Sequence, residues 1–184
     1  DSTERPTFDW AGEERKHLGT VLHRYFCRVV TDGLDAWDAN RAAGEKAGME
    51  EMLRALGLSK ERAGDEAARS VDILSRALED DNGRFVFSEH SEGEAEYQVT
   101  GVIEGRVKDL RIDRTFVDAK GARWIVDYKT GGHGGGDVDG FLENEKQRYA
   151  TQMNRYREVF TSLEKGREIR CALYYPALGR LVEL

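Results

Sequence analysis

The sequence predicts a single α/β (α+β) domain with a helical N-terminal half and a sheet-rich C-terminal half. Apolar residues recur every three or four positions before residue 83, whereas short stretches of β-branched and aromatic residues follow it. The length of 184 residues corresponds to about one domain. We therefore expect one domain over residues 1–184, mainly helical over 1–83 and built on a sheet over 84–184.

Four segments have the periodicity of amphipathic helices. In the second half of the first segment, apolar residues fall on one helical face, and Ser59 is the expected N-cap of the third. No regular element is assigned to residues 32–48, which are rich in Ala, Gly and charge. The helices are expected at about Trp10–Thr31, Met49–Leu56, Ser59–Glu79 and Asp139–Leu163.

Five segments have the composition of strands and are separated by turn residues. Asp81-Asn82-Gly83 is typical of a turn ahead of the first strand, and the glycine-rich segment 130–138 is expected to be a mobile connection. The predicted strands are Phe85–Phe87, Glu94–Val102, Gly105–Val117, Arg123–Lys129 and Arg170–Tyr175.

Composition and charge exclude several classes of protein. No apolar run approaches the roughly 20 residues that span a bilayer. The net charge of −7 argues against a protein that coats nucleic acid without specificity, since phosphates attract a positive surface. Two cysteines, Cys27 and Cys171, cannot form a disulfide framework, a four-cysteine zinc site or an iron–sulfur cluster, so we expect a reducing, cytoplasmic setting. The chain begins with Asp1 rather than Met, which we interpret as the start of a trimmed piece.

A predicted hairpin carries the residues with the most chemical content. Ala119-Lys120-Gly121 has the composition of a three-residue loop in which glycine adopts a positive φ. Asp118 then pairs with Ala122, and this register extends along both strands. The further pairs expected from it are Phe116 with Trp124, Ile112 with Tyr128, Asp113 with Asp127, and Arg111 with Lys129.

This register sorts the side chains onto two faces because the side-chain period of a strand is two. Asp113, Asp127 and Lys129 share one face, and opposed carboxylates about 5 Å apart repel each other. A divalent cation would compensate, and the lysine could then reach a phosphate or a metal-bound water. The alternative is a surface hairpin whose acids are neutralised by Lys129, Arg111 and Arg123. The other face is expected to carry Phe116, Trp124, Ile112, Tyr128 and Val126.

The same residues resemble a known family of nucleases. Asp113, thirteen further residues and then Asp127-Tyr128-Lys129 resemble the D…(D/E)-x-K core of the PD-(D/E)XK nucleases. The longer string from Arg111 to Gly131 is similar to the C-terminal nuclease domain of RecB- and AddA-type helicase–nucleases, which carry a UvrD-type motor. Gly19-Thr-Val-Leu-His23 and Gln152-Met-Asn-Arg-Tyr156 match helices of that domain in the same order.

The resemblance implies a restriction-endonuclease-like core, which is a central mixed sheet flanked by helices, and a role for each matching residue. Lys129 would orient the attacking water or stabilise the transition state, while Gln152 and Tyr156 would contact the site or the DNA. Glu96, favoured over Glu94, would be the acidic residue ahead of the hairpin. The implied metal ligands are His23, Asp113, Asp127 and the carbonyl of Tyr128.

The resemblance also implies a cofactor and partners. The cofactor would be Mg²⁺, or Mn²⁺ because imidazole is softer than the ligands that Mg²⁺ prefers. The substrate would be DNA, with exonuclease action on single strands favoured, and a helicase motor would be the partner in recombination and repair. A catalytically silent docking module and a stand-alone endonuclease of the same fold remain alternatives. His133 is interpreted as a loop residue rather than a ligand.

Overall fold

The computed structural model describes residues 10–131 and 135–184, with side chains from residue 16 onward in the first range. The helices are α1 (Trp10–Asp32), α2 (Ala39–Gly44), α3 (Lys46–Ala55), α4 (Lys60–Glu79), α5 (Asp81–Phe87) and α6 (Val138–Leu163), with a 3₁₀ turn at Leu34–Ala36. The strands are β1 (Ser91–Ile103), β2 (Arg106–Val117), β3 (Arg123–Tyr128), β4 (Ile169–Tyr175) and β5 (Arg180–Glu183). None of the helices in these ranges is both long enough and apolar enough to cross a membrane.

The five strands form one mixed sheet in the order β1-β2-β3-β4-β5. β3 and β4 are parallel and are connected through α6, whereas the other neighbouring strands are antiparallel. One core lies between the sheet and helices α1 to α5, and a second core lies between the sheet and α6. This arrangement confirms the predicted fold class: a central mixed sheet flanked by helices, with a helical N-terminal part.

Strand β3 is buried along its whole length because both faces of the sheet are covered. Its alternating residues separate into the two cores. Trp124, Val126 and Tyr128 pack toward α1 and α5, and Ile125 packs toward α6. The next residue on the α6 side is Asp127, so the alternation itself points this carboxylate at α6.

Segment Asp81–Phe87 is a helix, so the predicted turn and the predicted strand at Phe85–Phe87 are both wrong. The carboxylate of Asp80 accepts a hydrogen bond from the backbone N–H of Gly83 at 2.7 Å and caps the helix. Gly83 fits because a Cβ there would lie 2.0 Å from the carbonyl oxygen of Ala77. Val86 and Phe87 are buried because the short helix is enclosed, not because they alternate along a strand. The helical part therefore extends to residue 87 instead of 83.

Two other regions contain elements that the sequence did not predict. Residues 32–48 hold the 3₁₀ turn, α2 and the start of α3, and the side chain of Asp38 caps α2 by accepting from Arg41 N at 2.7 Å. The edge strand β5 is only four residues long and follows a turn at 176–179, too short for its pattern to be recognised. Both additions lie away from the predicted hairpin.

The hairpin between β2 and β3 has the predicted register close to its loop. Phe116 pairs with Trp124, Asp118 N donates to Ala122 O at 2.9 Å, and Gly121 has a φ of 86°. The ladder ends at Arg114 and Val126, however. Beyond this pair, β2 continues to pair with β1 and β3 with β4, so the sheet splits. The predicted ladder pairs that are not formed are Asp113 with Asp127, Ile112 with Tyr128, and Arg111 with Lys129.

The predicted face of Ile112 is also wrong. Ile112 packs in the α6 core, while Phe116, Trp124 and Tyr128 pack in the other core. Glu96 has a φ of 51°, and the position opposite Asp113 is missing from the β1–β2 ladder between two formed pairs. The regular alternation of faces along β2 is therefore interrupted at this point, and Ile112 and Phe116 lie on opposite faces of the sheet. This distortion coincides with the split of the sheet.

Candidate active site

Asp113 lies where the sheet splits, and its two oxygens contact one backbone N–H and one imidazole. Its Oδ2 accepts a hydrogen bond from the backbone N–H of Tyr128 at 2.7 Å. Its Oδ1 lies 3.2 Å from Nδ1 of His23 on α1. Just beyond the end of the ladder, the side chain of Asp113 on β2 thus replaces a backbone acceptor for an N–H of β3. This hydrogen bond orients the carboxylate.

Asp127 lies on β3 and is held by side chains. The residue is 8% exposed. Its Oδ2 is 2.7 Å from Nζ of Lys129, which lies two residues along on the same side of the strand. Its Oδ1 accepts a hydrogen bond from Nε2 of Gln152 on α6 at 3.3 Å. Both oxygens of this buried carboxylate therefore have partners within the protein.

The two carboxylates influence each other and share a surplus of negative charge. Burial and the negative charge of Asp113 raise the pKa of Asp127, and the opposing effect of Lys129 does not cancel them. For His23, burial alone would lower the pKa, but the hydrogen bond to Asp113, the charges of both acids and the Tyr128 carbonyl raise it overall. The negative charge of the acids thus contributes to the raised pKa of both Asp127 and His23.

Helix α6 connects the two sides of the split through Gln152 and Tyr156. The same Nε2 of Gln152 that contacts Asp127 also donates to the hydroxyl of Tyr156 at 2.9 Å. That hydroxyl donates to the carbonyl of Arg111 on β2 at 3.3 Å. The predicted pair at positions i and i+4 is thus brought to the acids, and it joins β3 to β2 where the ladder is absent.

A groove of about 510 Å³ opens beside Asp113 and is lined by the cationic side chains of Lys16 and Arg111. Glu96 lies in this groove with its Oε1 2.7 Å from Nη2 of Arg111. Glu94, the alternative considered from the sequence, lines a separate cavity with Tyr97 and Phe160. The structure therefore brings Glu96, and not Glu94, to the side of Asp113. The groove is lined by Lys16, Gly19, Thr20, His23, Glu96, Arg111 and Asp113.

Sequence reasoning missed part of this groove. Gly19 lies close to Thr130, whose Oγ1 would be 2.9 Å from a Cβ at Gly19. Lys16 and Thr20 follow the helical spacing that leads to His23, so the α1 face of the groove could have been predicted. Arg111 was considered only as a neutralising charge. His133 lies outside the described residues.

Behind the acids, Arg114 and Tyr128 lie in the α1–α5 core. Arg114 is 1% exposed, and its Nε and Nη2 donate to the carbonyls of Val86 and Ser88 at the end of α5, each at 3.0 Å. Burial lowers the pKa of Arg114 and raises the pKa of Tyr128 well above its usual value. Within the part of the chain that the structure describes, Nη1 of Arg114 and the hydroxyl of Tyr128 are buried without a hydrogen-bond partner.

The arrangement of an acid on each side of a split sheet, with a lysine two residues after the second acid, can be compared with known families. A profile of the PD-(D/E)XK nuclease superfamily matches residues 5–181. The chain belongs to the PD-(D/E)XK nuclease superfamily. PD-(D/E)XK proteins are usually metal-dependent nucleases. No curated protein shows significant similarity to the chain.

PD-(D/E)XK nucleases generally use Mg²⁺ or another divalent cation, and the donor types of this site fit such an ion. Two mutually repelling carboxylates and a nearby backbone carbonyl are the oxygen ligands that hard cations prefer, and His23 adds an imidazole. Among residues 10–131 and 135–184, no group of three or more His, Cys, Asp and Glu side chains is already arranged around an ion position. The carboxylate oxygens of Asp113 and Asp127 are instead occupied by protein donors.

Proposed function

We propose that the protein is a divalent-cation-dependent deoxyribonuclease that hydrolyses phosphodiester bonds. The observation that carries this proposal is the meeting of Asp113, Asp127 and Lys129 at the split of the sheet, in a chain of the PD-(D/E)XK superfamily. The raised pKa of Asp127 supports it, because acids perturbed by burial and by a neighbouring carboxylate are typical of catalytic sites.

Each residue of the site has a part in this reaction. Asp113, Asp127, His23 and the Tyr128 carbonyl would hold Mg²⁺ or Mn²⁺, which lowers the pKa of a bound water and polarises the phosphoryl oxygen. Lys129 would donate a hydrogen bond to the phosphate oxygens as their negative charge increases, or would orient the attacking water. The remaining roles are positional: Gln152 and Tyr156 hold the acid of β3 against β2, and Glu96 keeps Arg111 at the rim of the groove.

The proposed substrate is single-stranded DNA, cut by exonuclease action in recombination and repair, in the cytoplasm. Lys16 and Arg111 are cationic side chains of the groove that can contact backbone phosphates, although Glu96 and Asp113 balance their charge. The chain as a whole carries −7, so this contact alone supports little affinity. A helicase motor of the RecB or AddA type, in the same protein or in a partner, would supply the remaining affinity and deliver single strands.

An end-labelled single-stranded oligonucleotide tests the activity. With Mg²⁺ or Mn²⁺ we expect cleavage by the wild type, and we expect a loss of about 1,000-fold in Lys129→Ala and Asp127→Ala, the size seen when transition-state stabilisation is removed. Chelation with EDTA should stop cleavage. Lys108→Ala and Asp35→Ala are matched controls at exposed positions and should cleave normally. Cleavage that survives EDTA or both site substitutions would contradict the proposal.

A binding module without catalysis is the second candidate, and one observation favours it. Both oxygens of Asp127 are already paired with Lys129 and Gln152, as in a site that needs no ion. Tight binding of the same oligonucleotide with no cleavage under Mg²⁺ or Mn²⁺ would support this candidate. Discrete products from circular or branched DNA would instead indicate an endonuclease.

A further inference from the structure

Helix α6 brings a third side chain to the active site, one turn before Gln152. The ring centroid of Tyr149 lies 3.5 Å from Nζ of Lys129. Tyr149 is half-buried, and the Lys129 side chain is only 16% exposed. An ammonium at this distance over an aromatic face is attracted by the ring's negative face, and the attraction is stronger when water is excluded.

We propose that Tyr149 is a positioning residue that holds the ammonium of Lys129 at the reacting phosphate. The inference rests on the proposed nuclease activity, because it assigns to Tyr149 an effect on catalysis exerted through Lys129. Tyr149 itself touches neither the substrate nor the acids in this assignment. Its contribution is to restrict where the flexible lysine side chain can place Nζ.

The need for such a restraint follows from the contacts of Lys129. A lysine side chain has four rotatable carbons, and the structure gives its Nζ two close contacts, the ring of Tyr149 and Oδ2 of Asp127. Asp127 is also a proposed ligand of the cation, so a bound cation competes with Lys129 for this carboxylate. The ring is uncharged and offers no ligand to a hard cation, so the contact with Tyr149 persists when the contact with Asp127 weakens.

A second cation near the same ring does not replace Lys129. The guanidinium carbon of Arg148 lies 5.3 Å from the centroid of Tyr149, compared with 3.5 Å for Nζ of Lys129. The Arg148 side chain is 70% exposed and is 3.4 Å from Glu145, so water and a carboxylate already solvate its charge. The close and sheltered contact of Tyr149 is therefore the one with Lys129.

Steady-state cleavage by two substitutions separates the ring from the rest of the side chain. We expect Tyr149→Phe, which keeps the ring, to retain activity within about twofold, and Tyr149→Leu to lower kcat about tenfold with KM unchanged, the size of a desolvated cation–π contact. Tyr97→Leu is the control, because Tyr97 is also half-buried and contacts the ring of Phe160 but no cation. Equal kcat values for Tyr149→Leu and wild type would overturn the inference.

Unfolding of the metal-free protein in urea tests the contact without relying on activity. We compare wild type, Tyr149→Leu, Lys129→Met and the double variant. A direct contact predicts that the two substitutions are not additive, with a coupling of about threefold in the unfolding equilibrium constant. Additive effects would overturn the inference. If the wild type fails to cleave DNA, the proposed function falls; if it cleaves and Tyr149→Leu cleaves equally well, only the role of Tyr149 falls.

Discussion

The two sides of the split sheet hold their acids in different ways. On the α1 side, Asp113 accepts from a backbone N–H and lies beside one imidazole, next to an open groove. On the α6 side, Asp127 is buried and held by the side chains of Lys129 and Gln152. Asp113 is therefore oriented in part by a main-chain donor, whereas Asp127 is oriented by two side chains that can be substituted one at a time.

The two acids therefore differ in how far their contacts depend on side chains. Asp113 accepts from the main chain, and a side-chain substitution does not remove a main-chain donor. The contacts of Asp127 are made by the side chains of Lys129 and Gln152, which the proposed cation would have to replace at the carboxylate oxygens. Three measurements test the comparison, in order of decreasing expected effect.

Removal of Asp113 should cost the most stability. In Asp113→Ala the buried N–H of Tyr128 loses its acceptor and His23 loses its hydrogen-bond partner, so we expect the free energy of unfolding to fall by about 2 kcal/mol. Urea unfolding of the metal-free protein measures this value, with Asp35→Ala as the control. A loss no larger than that of the control would show that the backbone contact does not stabilise the fold.

Substitution of Gln152 should affect cleavage more than stability. Gln152→Leu removes the donor to both Asp127 and Tyr156 and keeps the size of the side chain. We expect kcat for the labelled oligonucleotide to fall about tenfold, because a small displacement of a reacting group is costly. Gln98→Leu on the exposed side of β1 is the matched control. An unchanged kcat would mean that Asp127 is positioned without α6.

The smallest expected effect is a change in the pH dependence of stability. The pKa of His23 is higher in the folded protein than its ordinary value of 6.5. The protonated imidazole therefore stabilises the fold fully below pH 6.5, and this stabilisation is lost as the pH rises through the folded pKa. We expect the metal-free wild type to lose stability over this interval.

The variant His23→Gln should show a flatter dependence in the same interval, measured as the free energy of unfolding in urea at several pH values. His17→Gln is the control, since His17 lies on the same helix away from the acids. Asp127 also has a raised pKa, so stability also falls as the pH rises from its ordinary pKa of 3.8 through its folded pKa. The charge of His23 lowers the pKa of Asp127, so His23→Gln should move this part of the profile toward higher pH. Parallel profiles of His23→Gln and wild type would contradict the expectation.

The parts of the fold that the sequence predicted are those with long, regular patterns. Helices α1, α4 and α6 begin and end within one or two residues of the predicted positions, because their apolar faces are long. The hairpin register was predictable because Gly121 fixes the loop. Helix α5 was mistaken for a strand because it is a short, enclosed helix with three consecutive apolar residues, Phe85, Val86 and Phe87, which give no helical period.

The geometry of the site was predicted only in part. The sequence pattern predicted that Asp113, Asp127 and Lys129 lie close together. It also predicted a regular ladder as far as Lys129, whereas the ladder ends at Arg114 and Val126. The split arises from tertiary packing, because β2 continues to pair with β1 while β3 continues to pair with β4. The positive φ of Glu96 interrupts the alternation of faces and so changes which residues face α6. Contacts between elements distant in sequence, such as Tyr149 with Lys129, leave no local pattern to read.

The buried residues Arg114 and Tyr128 connect the two acids to the interior of the α1–α5 core. Arg114 and Tyr128 each follow one of the acids directly in the chain, and Arg114 is anchored to the carbonyls at the end of α5. Adjacent residues share a peptide plane, so these hydrogen bonds also restrain the backbone on the C-terminal side of Asp113. The end of α5 is therefore joined to the backbone beside Asp113 by one buried side chain, on the face of the sheet opposite α6.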